Sequence, residues 1–285
     1  MRSARPGEAS ALPILMCPPT HYGVEYEINP WMHVDRPVDR PRARHQWDVL
    51  LSTYRELGID VVFADPVPGL PDMVFTANAG VSLGERVVLS RFRHPERRGE
   101  EQWWREFFAR RGMRIFDTGE LSFEGAGDAL FVGDTLVCGS GFRSDAAAIP
   151  LVARALDTEV VALELIDPRF YHLDTCFCPL DARTVLFAPS AFSPESRERV
   201  RRLASRLIEV TEDVAAGFAC NAMTIGDVVI SATAAESLSA PLRGMGYHVI
   251  GLPMTEFIKA GGGVRCLSLP LAEGREPAEP LPPAA

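Results

Sequence analysis

The sequence predicts an α/β fold made of five similar ββαβ units set around an axis, with a central pocket where the units meet. Three observations carry this expectation. A helical pattern followed by a short β-branched strand recurs five times along the 285 residues. Each such strand leads through one loop into a second apolar strand. Each second strand also carries polar residues that an ordinary buried strand would not hold.

Helices are expected near 40–57, 97–111, 144–155, 194–206 and 232–245, where apolar residues recur at three- and four-residue spacing between charges. Gly58, Gly112 and Gly246 stand where a glycine ends a helix. The strands that follow read DVVFAD, MRIFDT, EVVALEL, LIEVTE and YHVIGL. The second strands lie in GLPDMVFTANAG, LSFEGAGDALF, RFYHLDTCFC, AAGFACNAMTI and KAGGGVRCLSL. A flexible start at 1–12, one domain over 13–272 and a disordered Pro-rich tail at 273–285 complete the expected organisation. The plainer alternative is an α/β sheet whose loops carry scattered polar residues.

Composition narrows the partners. With 47% apolar and 24% charged residues the chain has the makeup of a globular protein. The 29 Lys and Arg against 38 Asp and Glu give −9, which argues against nucleic acid and fits a small cationic ligand. No run approaches the ~18 apolar residues needed to cross a bilayer, so no membrane partner is expected. The first apolar run is broken at Pro13 and stopped by Pro18-Pro19, with no cleavage site after it, so a cytoplasmic location is expected. Six cysteines in such a chain read as buried thiols, one of them reactive, and not as a disulfide framework.

The polar segments suggest a chemistry. On a strand, His172, Asp174, Cys176 and Cys178 would share one face, and a carboxylate two residues from a histidine suits acid–base work. The same four residues could be read as zinc ligands, but neighbouring strand positions rarely close a tetrahedron and no CxxC pair supports it. No metal or other cofactor is expected. Cys266 follows three glycines, which let backbone approach a ligand closely, and Arg265 beside it would favour the thiolate. Cys17, Cys138 and Cys220 lie in apolar runs and are assigned to the core. Asp72, Glu124 and Asp128, with the amide of Asn78, are costly to bury unless a cation meets them, and a planar guanidinium is the cation best matched to forked carboxylates. Arg91 and Arg143 are read as holding a substrate carboxylate, and Arg93, Arg97 and Arg98 as ordinary surface arginines.

Taken jointly, PDxVF, an arginine before the acidic helix, EGAGD, HLD and a late glycine-preceded cysteine resemble the guanidino-group-modifying superfamily of arginine deiminases, dimethylarginine dimethylaminohydrolases and amidinotransferases. Within it, INPWM, FTAN, FEGAGD and HLDTCFC look closest to arginine dihydrolases of the cyanobacterial type. The resemblance spans MCPPTHYGVEYEINPWM to GGGVRCLSL and implies the pentein β/α propeller fold. It implies Cys266 as nucleophile, His172 as general acid–base and Glu124 as the carboxylate supporting that histidine. It further implies Asp72, Asp174 and Asp128 on the guanidinium, Arg91 and Arg143 on the α-carboxylate, and Asn29 of INPWM as an amide contact.

Asn78 departs from the deiminases and dimethylargininases, which usually have aspartate there. An asparagine can bond a neutral ureido group as well as a cation. The resemblance therefore implies L-arginine taken through citrulline to ornithine, carbon dioxide and two ammonia. The alternatives are a deiminase or dimethylargininase stopping at citrulline, an amidinotransferase, or a non-catalytic binding protein on the same fold. Residues 18–40 are the candidate lid, and the expected partner is a small molecule, L-arginine or a methylated arginine, with a homo-oligomer possible.

Overall fold

The computed structural model describes residues 12–271. It is a ring of five three-stranded sheets. Strand β1 (Ile14–Met16) is followed by helix α1 (Arg40–Glu56) and by β2 (Val61–Phe63), which runs parallel to β1. The second unit holds β3 (Gly80–Leu83), the antiparallel β4 (Arg86–Leu89), α2 (Glu100–Arg110) and β5 (Arg114–Phe116), parallel to β4. The third repeats the order with β6 (Ala129–Val132), β7 (Thr135–Ser140), α3 (Ile149–Leu156) and β8 (Val160–Glu164). The fourth has β9 (Phe177–Pro179), β10 (Thr184–Phe187), α4 (Pro194–Leu203) and β11 (Arg206–Glu209). After the short α5 (Glu212–Ala216) come β12 (Met223–Ile225), β13 (Val228–Ser231), α6 (Glu236–Gly244) and β14 (His248–Gly251). Helix α7 (Thr255–Ile258) leads to β15 (Leu269–Pro270), which pairs antiparallel with β1 and completes the first sheet. This is the pentein arrangement that the resemblance implies.

Local sequence explains the elements. Asp39 caps α1 by accepting from the Arg42 amide at 3.0 Å, and Ser193 caps α4 in the same way from Ser196 at 3.3 Å. Helices α1, α2 and α6 end at the expected Gly58, Gly112 and Gly246, whose φ values of 76°, 72° and 93° lie in the left-handed region. The second helix starts later than the spacing predicts, because Pro95–Arg97 forms a separate 3₁₀ turn before Glu100. The apolar faces of the helices pack outward of the strands: Trp104 and Phe108 of α2 meet Val87 and Leu89 of β4, and Ile149 and Val152 of α3 meet Leu136 and Cys138 of β7. The core is thus divided among the units, and the axis is left to polar residues. Cys17, Cys138 and Cys220 are buried as expected.

Among the described residues, no helix is long and apolar enough to cross a membrane. Apart from Leu12, the expected flexible start at 1–12 and disordered tail at 273–285 lie outside the described residues.

The ring depends on a two-residue strand for closure. Leu269 is 1% exposed and pairs with Leu15, so Leu269→Ala should cost about 2–5 kcal/mol of unfolding free energy. Ile166, 52% exposed, gives the contrast: Ile166→Ala should stay within about 0.5 kcal/mol. Denaturant midpoints of the two variants check both values.

Candidate active site

The polar segments enter the axis as turns, not as strands. Pro71–Val74, Thr76–Ala79, Gly125–Gly127 and Leu173–Thr175 are 3₁₀ turns, and the inner strands begin only after them. With three residues per turn, such segments send successive side chains in different directions. The expected alternation of His172, Asp174, Cys176 and Cys178 on one face is therefore corrected. Cys176 donates its thiol to the Leu173 carbonyl at 3.4 Å and Cys178 to that of Ala222 at 3.5 Å, both within the core. His172 turns to Glu124 and Asp174 to the Cys266 sulfur.

Glu124 organises one side of the site. It is fully buried, and its Oε2 lies 2.7 Å from His172 Nε2 and accepts from Arg143 NH1 at 3.0 Å. Its Oε1 accepts from the Arg93 amide at 3.2 Å. Burial alone would raise its pKa, but Arg143 and His172 together outweigh that and hold the carboxylate well below the usual range. Arg143 is buried, donates also to the Ile28 carbonyl at 2.9 Å and stacks 4.7 Å over the Tyr171 ring.

Cys266 organises the other side. Its sulfur lies 3.2 Å from Asp174 Oδ2 and accepts from Asn221 Nδ2 at 3.0 Å. Asn221 also donates to the Asp174 carbonyl at 3.1 Å and accepts from the Cys266 amide at 3.3 Å, so one amide ties the two residues together. Burial, then the charge of Asp174, push the Cys266 thiol well above its ordinary value. Burial also raises Asp174, to about 7, against the opposing bonds from Cys266 and Asn221 and the charge of Arg265. The unliganded cysteine is thus a thiol. The glycines before it have a packing reason: Gly261 has φ +80° with Tyr171 Oη donating to its carbonyl at 2.7 Å, and a side chain at Gly262 would collide with the Phe75 ring.

Between these sides lies a pocket lined by Asn29, Asp72, Asn78, Arg97, Arg143 and Cys266, with Ile28, Phe75, Tyr171, Ala260 and Gly262. Asp72 Oδ2 accepts from Tyr26 Oη at 3.0 Å and lies 3.8 Å from Arg97 Nε. Burial raises its pKa, with Arg97 and Tyr26 opposing. Asp72 Oδ1 and Asp174 Oδ1 are buried without a hydrogen-bond partner. Asn29 donates to the Ala260 carbonyl at 3.1 Å and accepts from the Trp31 amide at 2.9 Å. Segment 18–40, the candidate lid, thus reaches the pocket through Tyr26, Ile28 and Asn29.

Four residues stand apart from the surroundings that the sequence suggests. Arg91 lies outside the pocket lining, ion-paired with Glu101 at 2.9 Å and Glu120 at 3.2 Å. Arg97, expected at the surface, is 3% exposed and lines the pocket, because the 3₁₀ turn at Pro95 folds it inward over the Phe92 ring. Arg265, expected to favour the thiolate, has its NH1 3.1 Å from Met223 Sδ, while burial and Asp174 push the Cys266 thiol up. Asp128 sits behind the histidine, accepting from Ser144 Oγ at 2.6 Å and the Leu173 amide at 3.0 Å, outside the pocket lining.

Asn221 was not singled out by the sequence reading. It stands two residues before β12, as Asn78 stands two residues before β3, so aligning the repeats would have found it. Tyr26 carries no such signal, since it acts from the segment between β1 and α1.

The sequence profile of the family described as N,N dimethylarginine dimethylhydrolase, eukaryotic, matches residues 28–273. The chain belongs to this family. A dimethylarginine dimethylaminohydrolase of Mycobacterium tuberculosis is 42% identical over 89% of this chain and 84% of its own. The bifunctional arginine dihydrolase/ornithine cyclodeaminase ArgZ of Synechocystis is 47% identical over 93% of this chain, which spans 38% of that protein's length. The crystal structure of the N-terminal domain of ArgZ, a cysteine-to-serine variant of a cyanobacterial arginine dihydrolase bound to substrate, superposes with a TM-score of 0.89 at 46% identity, covering 92% of this chain and 99% of that one.

The Asp174 shift sets a pH dependence. A carboxyl group whose folded pKa of about 7 exceeds its unfolded value of about 4 binds more protons when folded, so it removes stability as pH rises through that interval. Asp174→Asn should flatten that decline, which at its steepest is about 1.4 kcal/mol per pH unit. Unfolding free energies of both proteins from pH 4 to 7 check this; parallel curves would refute it.

Proposed function

We propose that the chain is a cysteine-dependent hydrolase of the guanidino group of L-arginine, taking it through a covalent thiouronium intermediate and citrulline to ornithine. The observation that carries this reading is the pair of partnerless buried oxygens, Asp72 Oδ1 and Asp174 Oδ1, in the site that holds Cys266. A buried acceptor left unbonded costs about 1–3 kcal/mol, and a planar cation with several N–H donors relieves both at once. The relatives named as arginine dihydrolases support the choice of cation.

The substrate cation itself changes the state of the nucleophile. Its positive charge beside Asp174 and Cys266 offsets the effects that keep the thiol protonated, so the thiol releases its proton to solvent as arginine binds and regains one after the product leaves. Cys266 Sγ attacks the guanidinium carbon, His172 delivers a proton to the departing nitrogen and ammonia leaves. Glu124 holds the imidazole through Nε2. Water activated by His172 then breaks the carbon–sulfur bond and releases the thiolate. Acid–base help of this kind is worth about 10²–10⁴-fold. A second round on retained citrulline gives ornithine, so that one arginine and two waters yield ornithine, carbon dioxide and two ammonia. Arg143, with two of its five donors used by Glu124 and Ile28, takes the substrate α-carboxylate.

A second reading, hydrolysis of a methylated arginine to citrulline, draws on the name of the mycobacterial relative. Asn78 favours the first, because its amide can bond a neutral ureido oxygen where an aspartate would repel it.

Incubation with L-arginine should give ornithine and ammonia in a ratio of one to two, and citrulline accumulating with one ammonia would overturn the two-step reading. Dimethylamine released faster from dimethylarginine would favour the second reading. Cys266→Ser should lower turnover by at least about a thousandfold. Asn78→Asp should shift products toward citrulline; an unchanged ornithine yield would remove Asn78 from the choice of product.

A further inference from the structure

The amide of Asn78 is held in one orientation by neighbours that it did not choose. Its Oδ1 accepts from Arg97 NH1 at 2.9 Å, and its Nδ2 donates to the Glu124 carbonyl at 3.2 Å. A guanidinium can only donate and a carbonyl can only accept, so the two neighbours fix which end of the amide is oxygen and which is nitrogen. One Nδ2 hydrogen is used by Glu124. The other is the donor that Asn78 has left to offer the pocket that it lines.

Arg97 is itself held from behind. Glu100, in the first turn of α2 and 1% exposed, accepts from Arg97 Nε at 2.7 Å and from NH2 at 2.9 Å in a two-point fork. Trp104 Nε1 donates to the same carboxylate at 3.2 Å, fixing its plane. Arg97 NH2 also donates to the Asp72 carbonyl at 3.2 Å. Of its five N–H groups, four are committed, and one of these defines the Asn78 oxygen. Glu100 does not line the pocket.

We propose that Glu100 is a positioning residue for the second hydrolytic step: through Arg97 it keeps the Asn78 N–H turned to the pocket, where it donates to the oxygen of a bound ureido group. The inference rests on the two-step reading above. Arginine, a cation carrying only donors at its guanidino group, takes nothing from this N–H in the first step. Citrulline carries an acceptor oxygen in the same place and depends on it. Loss of the fork frees Arg97 to turn and the amide to flip, which presents the amide oxygen instead, and the ureido oxygen is then repelled.

The test feeds arginine and citrulline separately to wild type, Glu100→Gln and Glu100→Asp, and follows ornithine, citrulline and ammonia. Glutamine removes the charge and places a donor against Arg97, whereas aspartate keeps the charge on a shorter stem. The ratio of citrulline to ornithine from arginine should rise about tenfold in Glu100→Gln, the scale of one hydrogen bond, while the rate of first ammonia release stays within about threefold. Glu100→Asp should return the ratio part of the way to wild type. An unchanged ratio in a folded Glu100→Gln, beside a wild type that makes ornithine, would overturn the positioning role and leave the two-step reading intact. A wild type that makes no ornithine would overturn both. Should Glu100→Gln fail to fold, Glu100→Asp carries the same measurement, and a wild-type ratio with slower first ammonia release would mark Glu100 as merely structural and overturn the proposal.

Discussion

A carboxylate removed from water needs a cation or several donors, and the site gathers four of them: Asp72, Glu100, Glu124 and Asp174, each 2% exposed or less. Two resident guanidinium groups are matched to two of the four, Arg97 to Glu100 and Arg143 to Glu124. The other two are only half satisfied. Asp72 takes a bond from Tyr26 and Asp174 faces a thiol, and each keeps one buried oxygen without a partner. Burial raises the pKa of both acids and of Cys266.

The five-unit architecture was legible in the sequence because amphipathic helix, helix-ending glycine and β-branched strand recur in fixed order, and each signal is local. That His172, Glu124, Asp72 and Asn78 stand out was legible because an acid, an amide or a histidine between apolar residues is costly to bury, and Cys266 stood out by the three glycines before it. Arg97 was not. Its neighbours Arg93 and Arg98 look the same in sequence, and what separates them is the turn at Pro95, which aims one of three arginines inward. The alternation expected for His172 to Cys178 failed for a related reason. A 3₁₀ turn was read as strand, since both can carry short apolar–polar patterns, and a turn places its side chains by a different rotation.

Neighbouring elements constrain the site more tightly than its own residues suggest. Asn221 bonds both Cys266 and Asp174, while Tyr171 bonds the Gly261 carbonyl and underlies Arg143. Sulfur, acid and arginine are thus set by backbone and ring contacts from separate units. Short turns with fixed hydrogen bonds suit this task, because they leave the bonded side chains few alternative directions.

The closing strand gives the reactive sulfur an unusual place in assembly. Cys266 lies three residues ahead of β15, whose pairing with β1 joins the chain's last described strand to its first. Its partners Asp174 and Asn221 come from the fourth and fifth units. The stretch that closes the ring is therefore also the one that carries the sulfur to groups held by two other units.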